Sequence, residues 1–145
     1  TRAVAHFVRW ARDFKDVKRK ADFYPDVDKR HLFRLGYIAS RSGHSRGSTV
    51  DLALAPLDGA AAPDPDCGAP ATGAVEFGTG FDCFDDRSRT AFTPLSATAT
   101  ANRRMLIEAM QAAGFRNYAR EWWHFTLKGE PYKEQRFDFA IEPAG

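Results

Sequence analysis

Near the start of the chain, apolar residues recur at three- and four-residue intervals: Val4, Phe7, Val8, Ala11, Phe14 and Val17, with charged residues between them. That period predicts an amphipathic helix over residues 4–20, broken by Phe23-Tyr24-Pro25. Asp28 is placed to cap a short turn running through Phe33, and Gly36 then leads into Tyr37-Ile38-Ala39, which reads as a strand. Gly43 and Gly47 bracket His44-Ser45-Arg46 and mark a tight turn. From Ser48 the period falls to two. Val50, Leu52 and Leu54 share one face, and Thr49, Asp51 and Ala53 the other, as in a half-buried strand. Asp51 therefore points away from its apolar neighbours.

Residues 56–70 are rich in alanine, proline, aspartate and glycine and predict a loop. Residues 73–78 read as a short strand closing a hairpin with the one before the loop. Ser96 or Thr98 caps a helix running to Ala113, with Met105, Leu106, Ala109 and Met110 as its buried stripe and Gly114 as its stop. Residues 115–118, 122–127 and 137–141 read as strands or turns. Separate helices and strands without an alternating β-α repeat predict an α+β fold, in which helices pack on a small, mainly antiparallel sheet.

A chain of 145 residues, 43% hydrophobic and 13% aromatic, is long enough to bury a continuous core and is read as one domain, residues 1–145. No apolar run has the length needed to span a membrane. A formal charge of +2 is too small to argue for a nucleic-acid partner. The basic residues Arg9, Arg12, Lys15, Lys18, Arg19 and Lys20 read as the solvated face of the first helix. Cys67 and Cys83 lie sixteen residues apart around a loop-like stretch, and neither belongs to a CxxC pair. A disulfide is the favoured reading, worth roughly 3 kcal/mol by chain entropy, with two free thiols or a second metal site as the competing ones. A disulfide implies a periplasmic or otherwise extracytoplasmic protein rather than a cytoplasmic one.

The chemistry concentrates in two segments. His44 and Asp51 flank Ser45-Arg46-Gly47-Ser48-Thr49-Val50, and Glu121-Trp122-Trp123-His124 lies far downstream. Two imidazoles and a carboxylate can hold a catalytic zinc while leaving a position for water, and a second carboxylate nearby can serve as base. In that arrangement His44, Asp51 and His124 are the ligands, one Zn²⁺ per chain sits in a cleft, and Glu121 shuttles protons. The spacing carries a geometric demand. On a flat strand residues 121 and 124 project to opposite faces, so the backbone near Trp122 must bulge or turn if both address one metal. Other readings remain open for each residue: His124 as a core histidine, Asp51 as an ion-paired carboxylate, and His44 or Glu121 as surface groups. His6 and His31 lack partners and read as surface residues. Trp122 and Trp123 either wall a cleft or pack in the core.

The run Ser42-Gly43-His44-Ser45-Arg46-Gly47-Ser48-Thr49-Val50-Asp51 resembles the SxHxxGxAxD signature of zinc D-alanyl-D-alanine dipeptidases, with Thr49 where the pattern favours alanine. Glu121-Trp122-Trp123-His124 resembles their ExWH element. Gly36-Tyr37-Ile38-Ala39, Gly78-Thr79-Gly80-Phe81-Asp82 and Asp85-Asp86-Arg87-Ser88 also look like that family, and residues 56–70 look inserted or diverged. The resemblance implies zinc-dependent hydrolysis of a small D-amino-acid dipeptide of the cell wall, by attack of metal-activated water with Glu121 as general base and acid. It further implies that Asp82 meets the substrate's ammonium with Ser42 assisting. Related D,D-carboxypeptidases or endopeptidases acting on peptidoglycan stems, and non-catalytic zinc-bearing modules, are the alternatives. The family's oxyanion-supporting arginine lies in a DGYRP-like segment, and Thr1-Arg2-Ala3 resembles the residues just C-terminal to that segment. The arginine is therefore expected upstream of residue 1, with neither Arg2 nor Arg46 in that role, and the chain is expected to be part of a longer enzyme.

Overall fold

In the computed structural model, which describes residues 2–71 and 73–138, the N-terminal stripe folds into a helix shorter than its pattern. Helix α1 spans Arg2–Arg12 and a single further turn, α2, spans Lys20–Phe23. Between them Asp13 and Asp16 accept hydrogen bonds from the backbone N–H groups of Lys15 and Lys18, a local alternative to the helical ladder. Lys29 secures the break from a distance. Its Nζ donates to the carbonyls of Asp13 (2.9 Å) and Asp16 (2.6 Å) and lies 4.0 Å from the centre of the Trp10 ring. The continuous helix expected over residues 4–20 is thus corrected, and Phe14 and Val17 are exposed rather than buried. Arg9, Arg12, Lys15, Lys18 and Arg19 are solvated as expected. Lys20 instead turns its ammonium onto the carbonyls of Tyr24, Pro25 and Val27.

Asp28 caps a 3₁₀ turn over Lys29–His31 by accepting from Arg30 N–H. The strand expected at Tyr37-Ile38-Ala39 is absent. The N–H groups of Tyr37 and Ile38 bond back to Leu32 O, and both side chains enter the core. Strand β1 spans Thr49–Asp51, and its ladder continues through a bond from Leu52 N–H to Trp123 O. Residues 73–78 form no strand; a bond from Val75 N–H to Leu54 O ties them to the chain before the loop. Helix α3 spans Ala97–Ala112, capped by Ser96 Oγ accepting from Ala99 N–H at 3.0 Å and stopped at Gly114 with φ +85°. Strands β2 (Phe115–Tyr118) and β3 (Glu121–Leu127) come next. Phe137 and Asp138 are not in a strand, and the rest of the 137–141 segment lies outside the described residues.

The three strands form one antiparallel sheet in the order β1-β3-β2, with helix α3 against it, so the fold is α+β. Two clusters of buried side chains are present among the described residues. Ala11, Tyr24, Leu32, Tyr37, Ile38 and Phe84 form one, and Phe77, Leu106, Trp122, Trp123 and Phe125 form the other beneath α3. A disulfide joins Cys67 to Cys83. Among the described residues no helix is long and apolar enough to cross a membrane.

The buried stripe of α3 is Ala99, Arg103 and Leu106, whereas Met105 and Ala109 face solvent. A buried arginine was invisible to a hydrophobic pattern. Its guanidinium donates to the carbonyls of Phe77 (2.9 and 2.7 Å), Arg87 (2.9 Å) and Arg89 (2.6 Å), pinning residues 77–89 to the helix. Burial lowers its pKa to about 10, because no carboxylate accompanies it. Arg103→Met keeps the length and removes the donors, leaving buried carbonyls unpaired. It is expected to cost about 3 kcal/mol in denaturant unfolding, and a loss below about 0.5 kcal/mol would contradict this account.

Candidate metal centre

His44 is presented by a 3₁₀ turn, Gly43–Arg46. Ser42 Oγ accepts from His44 N–H at 3.2 Å, and Gly47 leaves the turn with φ +76°. A Cβ at Gly43 would fall 2.7 Å from Thr49 Oγ1, so the turn packs directly on β1. The imidazole Nδ1 lies 3.2 Å from Thr49 O. A carbonyl can only accept, so Nδ1 carries the proton and Nε2 keeps its lone pair for the cleft.

Asp51 and His124 arrive through the sheet. The β1–β3 register pairs Thr49 with Thr126, Val50 with Phe125 and Asp51 with His124. Directly opposed residues project to the same face, so Asp51 and His124 emerge together while Phe125 goes to the core. Glu121 reaches the same cleft because β3 bulges. Asn117 on β2 pairs with Phe125, and the next residue, Tyr118, pairs with Glu121, so residues 122–124 have no partner on that side. The Asn117 side chain fills the gap: its Nδ2 is 3.0, 3.3 and 3.1 Å from the carbonyls of Glu121, Trp122 and His124, and Thr90 Oγ1 donates to its Oδ1. The departure from a flat strand that the spacing demanded is therefore present. Trp122 stacks on Phe77 at 3.9 Å and donates to Thr79 Oγ1, and Trp123 is equally buried; both tryptophans belong to the core.

The candidate ligand atoms converge. His44 Nε2 is 3.3 Å from Asp51 Oδ2, His124 Nδ1 is 3.1 Å from Asp51 Oδ1, and the three groups lie within 4.8 Å of one another. Ligands of a tetrahedral metal ion with bonds of roughly 2.05 Å are separated by roughly 3.3 Å, and the two edges from Asp51 match that spacing, while the set as a whole extends to within 4.8 Å. Glu121 Oε2 sits 3.5 Å from His124 Nδ1. The group opens onto a cleft of about 440 Å³ whose lining includes Val4 and Phe7 of α1, Tyr37, Ser42, Asp82 and Tyr118. A larger cavity of about 560 Å³, under the loop at 61–80, contains Asp64, Asp66 and Glu76 but no histidine in its described lining.

Charge within the cleft is unbalanced. Burial, with help from Asp51 and then Asp82, pushes Glu121 up to about 9. Burial and Asp51 push Asp82 up to about 6, with His124 opposing. Burial also lowers the pKa of His44. Among the described residues no lysine or arginine pairs with Asp51, Asp82 or Glu121. Three carboxyl groups gathered around two imidazoles, with no lysine or arginine among the described residues to pair them, make a site that a cation would neutralise.

All six predicted site residues, Ser42, His44, Asp51, Asp82, Glu121 and His124, line this cleft. Arg46 does not enter it; its Nε and Nη2 grip Glu130 at 2.6 and 2.9 Å. His6 and His31 are exposed elsewhere. Sequence reasoning missed Asn117 and also Tyr118, whose ring lies 5.6 Å from that of His124 while its Oη donates to Gly36 O. A polar residue in a short strand just before a spacing that demands a bulge was the available signal for Asn117.

An α+β fold whose cleft gathers two imidazoles, a carboxylate and a buried acid beside them has the form of a mononuclear metallopeptidase. The chain belongs to the peptidase M15 family, described as D-Ala-D-Ala dipeptidase, whose family model matches residues 15–142. A D-alanyl-D-alanine dipeptidase of Enterococcus faecium is 39% identical over 142 residues, covering 97% of this chain and 64% of that protein. One from Streptomyces coelicolor is 42% identical over 141 residues, covering 97% of this chain and 63% of its own length. One from Escherichia coli is 33% identical over 105 residues, covering 70% and 48%. The chain spans less than two thirds of the length of these relatives.

The carboxylate crowding makes stability depend on pH when metal is removed. The unfolded chain releases the Glu121 proton near the ordinary value of 4.5, whereas the folded chain keeps it to about 9. Through that window the folded state binds more protons and loses stability as pH rises. His44, lowered from 6.5, acts in the opposite sense only below that value, which leaves pH 6.5 to 9 as the range governed by Glu121. The melting temperature of the chelator-treated protein is expected to fall across that range, and Glu121→Gln is expected to abolish the slope. A flat profile in the unmodified protein would contradict the assignment.

Proposed function

We propose that the chain carries the catalytic cleft of a zinc D-Ala-D-Ala dipeptidase, with one Zn²⁺ held by His44 Nε2, Asp51 and His124 Nδ1. The observation that carries this reading is the convergence of those atoms beside Glu121, in a chain of the peptidase M15 family. When bound, zinc polarises the scissile carbonyl and makes water acidic enough to attack near neutral pH. Glu121 is the group that moves protons. Its carboxylate lies deep in the cleft beside His124, takes the proton from the attacking water and delivers it to the leaving amine. The strong proton affinity that burial confers suits the second half of that shuttle.

Asp82 supplies the substrate contact. It is a half-buried carboxylate facing the cleft, and an incoming ammonium gives it the cationic partner it lacks among the described lysines and arginines. Ser42 Oγ accepts from His44 N–H and keeps its own proton to donate to the peptide. A dipeptide's ammonium lies only a few ångströms from its scissile carbonyl, so a fixed carboxylate beside the metal measures substrate length. A cleft of about 440 Å³ suits a ligand of that size. The disulfide supports an extracytoplasmic site of action.

The test is hydrolysis of D-Ala-D-Ala by the full-length protein, with and without chelator, beside N-acetyl-D-Ala-D-Ala and a stem pentapeptide. The free dipeptide is expected to be cleaved in a metal-dependent way and the other two poorly. Equal kcat/KM for the free and acetylated dipeptides would favour a D,D-carboxypeptidase, and no cleavage of any would favour a binding module. Glu121→Gln is expected to retain one zinc and lose about 10² to 10⁴ in kcat, and normal turnover in that variant would overturn its role.

A further inference from the structure

The segment Phe81-Asp82-Cys83-Phe84 bridges the two buried clusters. Phe81 packs against the tryptophan cluster, Phe84 belongs to the Tyr24 cluster, and Asp82 between them faces the cleft. Asp82 has φ +57°, the one positive value at a non-glycine residue among those described. Aspartate enters that region more readily than most residues, but holds it only where the surroundings over-determine the backbone. Here they do. Ala69 and Phe81 exchange two backbone hydrogen bonds, at 2.7 and 2.9 Å, and Gly80 N–H donates to Cys67 O at 2.8 Å. The strands of this small pairing touch so closely that a Cβ on Gly80 would lie 2.3 Å from Ala69 O, and one on Gly68 would lie 2.5 Å from Phe81 O. Both sides are anchored to α2, by Gly68 N–H to Asp22 O and Phe84 N–H to Phe23 O, each at 2.7 Å.

The covalent member of this clamp is the Cys67–Cys83 disulfide, fully enclosed and placed on the residue after Asp82. The candidate zinc ligands have other supports: the 3₁₀ turn for His44, β1 for Asp51 and β3 for His124. We propose that the disulfide is a positioning element for substrate selection, holding the Asp82 carboxylate in the cleft. Recognition of the substrate's free ammonium then depends on the disulfide, and metal binding does not. This rests on Asp82 being the ammonium site.

The test compares the zinc-loaded full-length protein with a Cys67→Ser/Cys83→Ser variant, Asp82→Asn and the triple combination, reading zinc content, kcat and KM on D-Ala-D-Ala. The cysteine variant is expected to hold one zinc and to raise KM about tenfold with a smaller change in kcat, as loss of one charge-assisted contact would. In the Asp82→Asn background, removing the disulfide is expected to add nothing. Normal KM in the cysteine variant beside a raised KM in Asp82→Asn overturns the proposal and spares the ammonium reading; normal KM in Asp82→Asn overturns both. A KM increase that persists in the triple combination also overturns it, since it then reflects general loosening. As a second arm, the native protein is reduced by a water-soluble phosphine until thiol titration finds two thiols. Phosphorus attacks one sulfur and displaces the other as thiolate, and water then hydrolyses the phosphonium, giving its oxygen to the phosphine oxide and its protons to the two thiols. The same KM increase at full zinc content is expected, and loss of zinc or of folded signal under both treatments marks the disulfide as a fold staple and overturns the proposal.

Discussion

Side chains three residues apart on a flat strand face opposite ways, so Glu121 and His124 could not share a cleft if β3 stayed in register with both neighbours. On one side it does stay in register, and the Asp51–His124 pair with β1 sets where the candidate ligands emerge. On the other side it slips past Asn117, and residues 122–124 lose their partners on β2. Backbone carbonyls left without partners inside a protein are costly, and the Asn117 amide satisfies them where a strand would have done so. The same slip accounts for the core, because both tryptophans between Glu121 and His124 are buried beneath α3. Site and core are thus two consequences of one irregularity.

Gathering Asp51, Asp82 and Glu121 in one cleft creates the electrostatic condition on which the functional reading rests. Without an added cation, burial and mutual repulsion hold protons on Glu121 and Asp82 well above the ordinary carboxylate range. Under the proposed reading, a cation at the His44–Asp51–His124 group would reverse that balance and free Glu121 to exchange protons, and a substrate ammonium would do the same for Asp82. Metal and substrate would each neutralise part of a charge that the chain leaves uncompensated.

Much of this was legible in the sequence wherever the controlling chemistry is local. Ser96 and Gly114 bound α3, Asp28 caps its turn, and Gly43 and Gly47 bracket the turn bearing His44. Period-two alternation put Asp51 on the face opposite Val50, and the register pairs it there with His124, although Val50 is exposed and Thr49 buried, the reverse of the burial that the alternation implied. The candidate site was readable because its residue types are chemically distinctive and because the 121–124 spacing carried its own geometric demand. What escaped the sequence depends on distant partners. Lys29 ends α1 from sixteen residues away by bonding Asp13 O, Arg103 sits in the buried stripe of α3 because three carbonyls receive it, and Tyr37 and Ile38 fold back onto Leu32 instead of pairing as a strand. Asn117 and Tyr118 belong with these, since their roles exist only once β3 has bulged and the Gly36 turn has reached the sheet.

Zinc K-edge X-ray absorption on the metal-loaded protein tests the centre most directly. The account predicts only nitrogen and oxygen neighbours at about 2.0–2.1 Å, with the outer-shell pattern of two imidazoles that falls to one in His124→Ala. A sulfur neighbour near about 2.3 Å, or an imidazole pattern unchanged by His124→Ala, would contradict it.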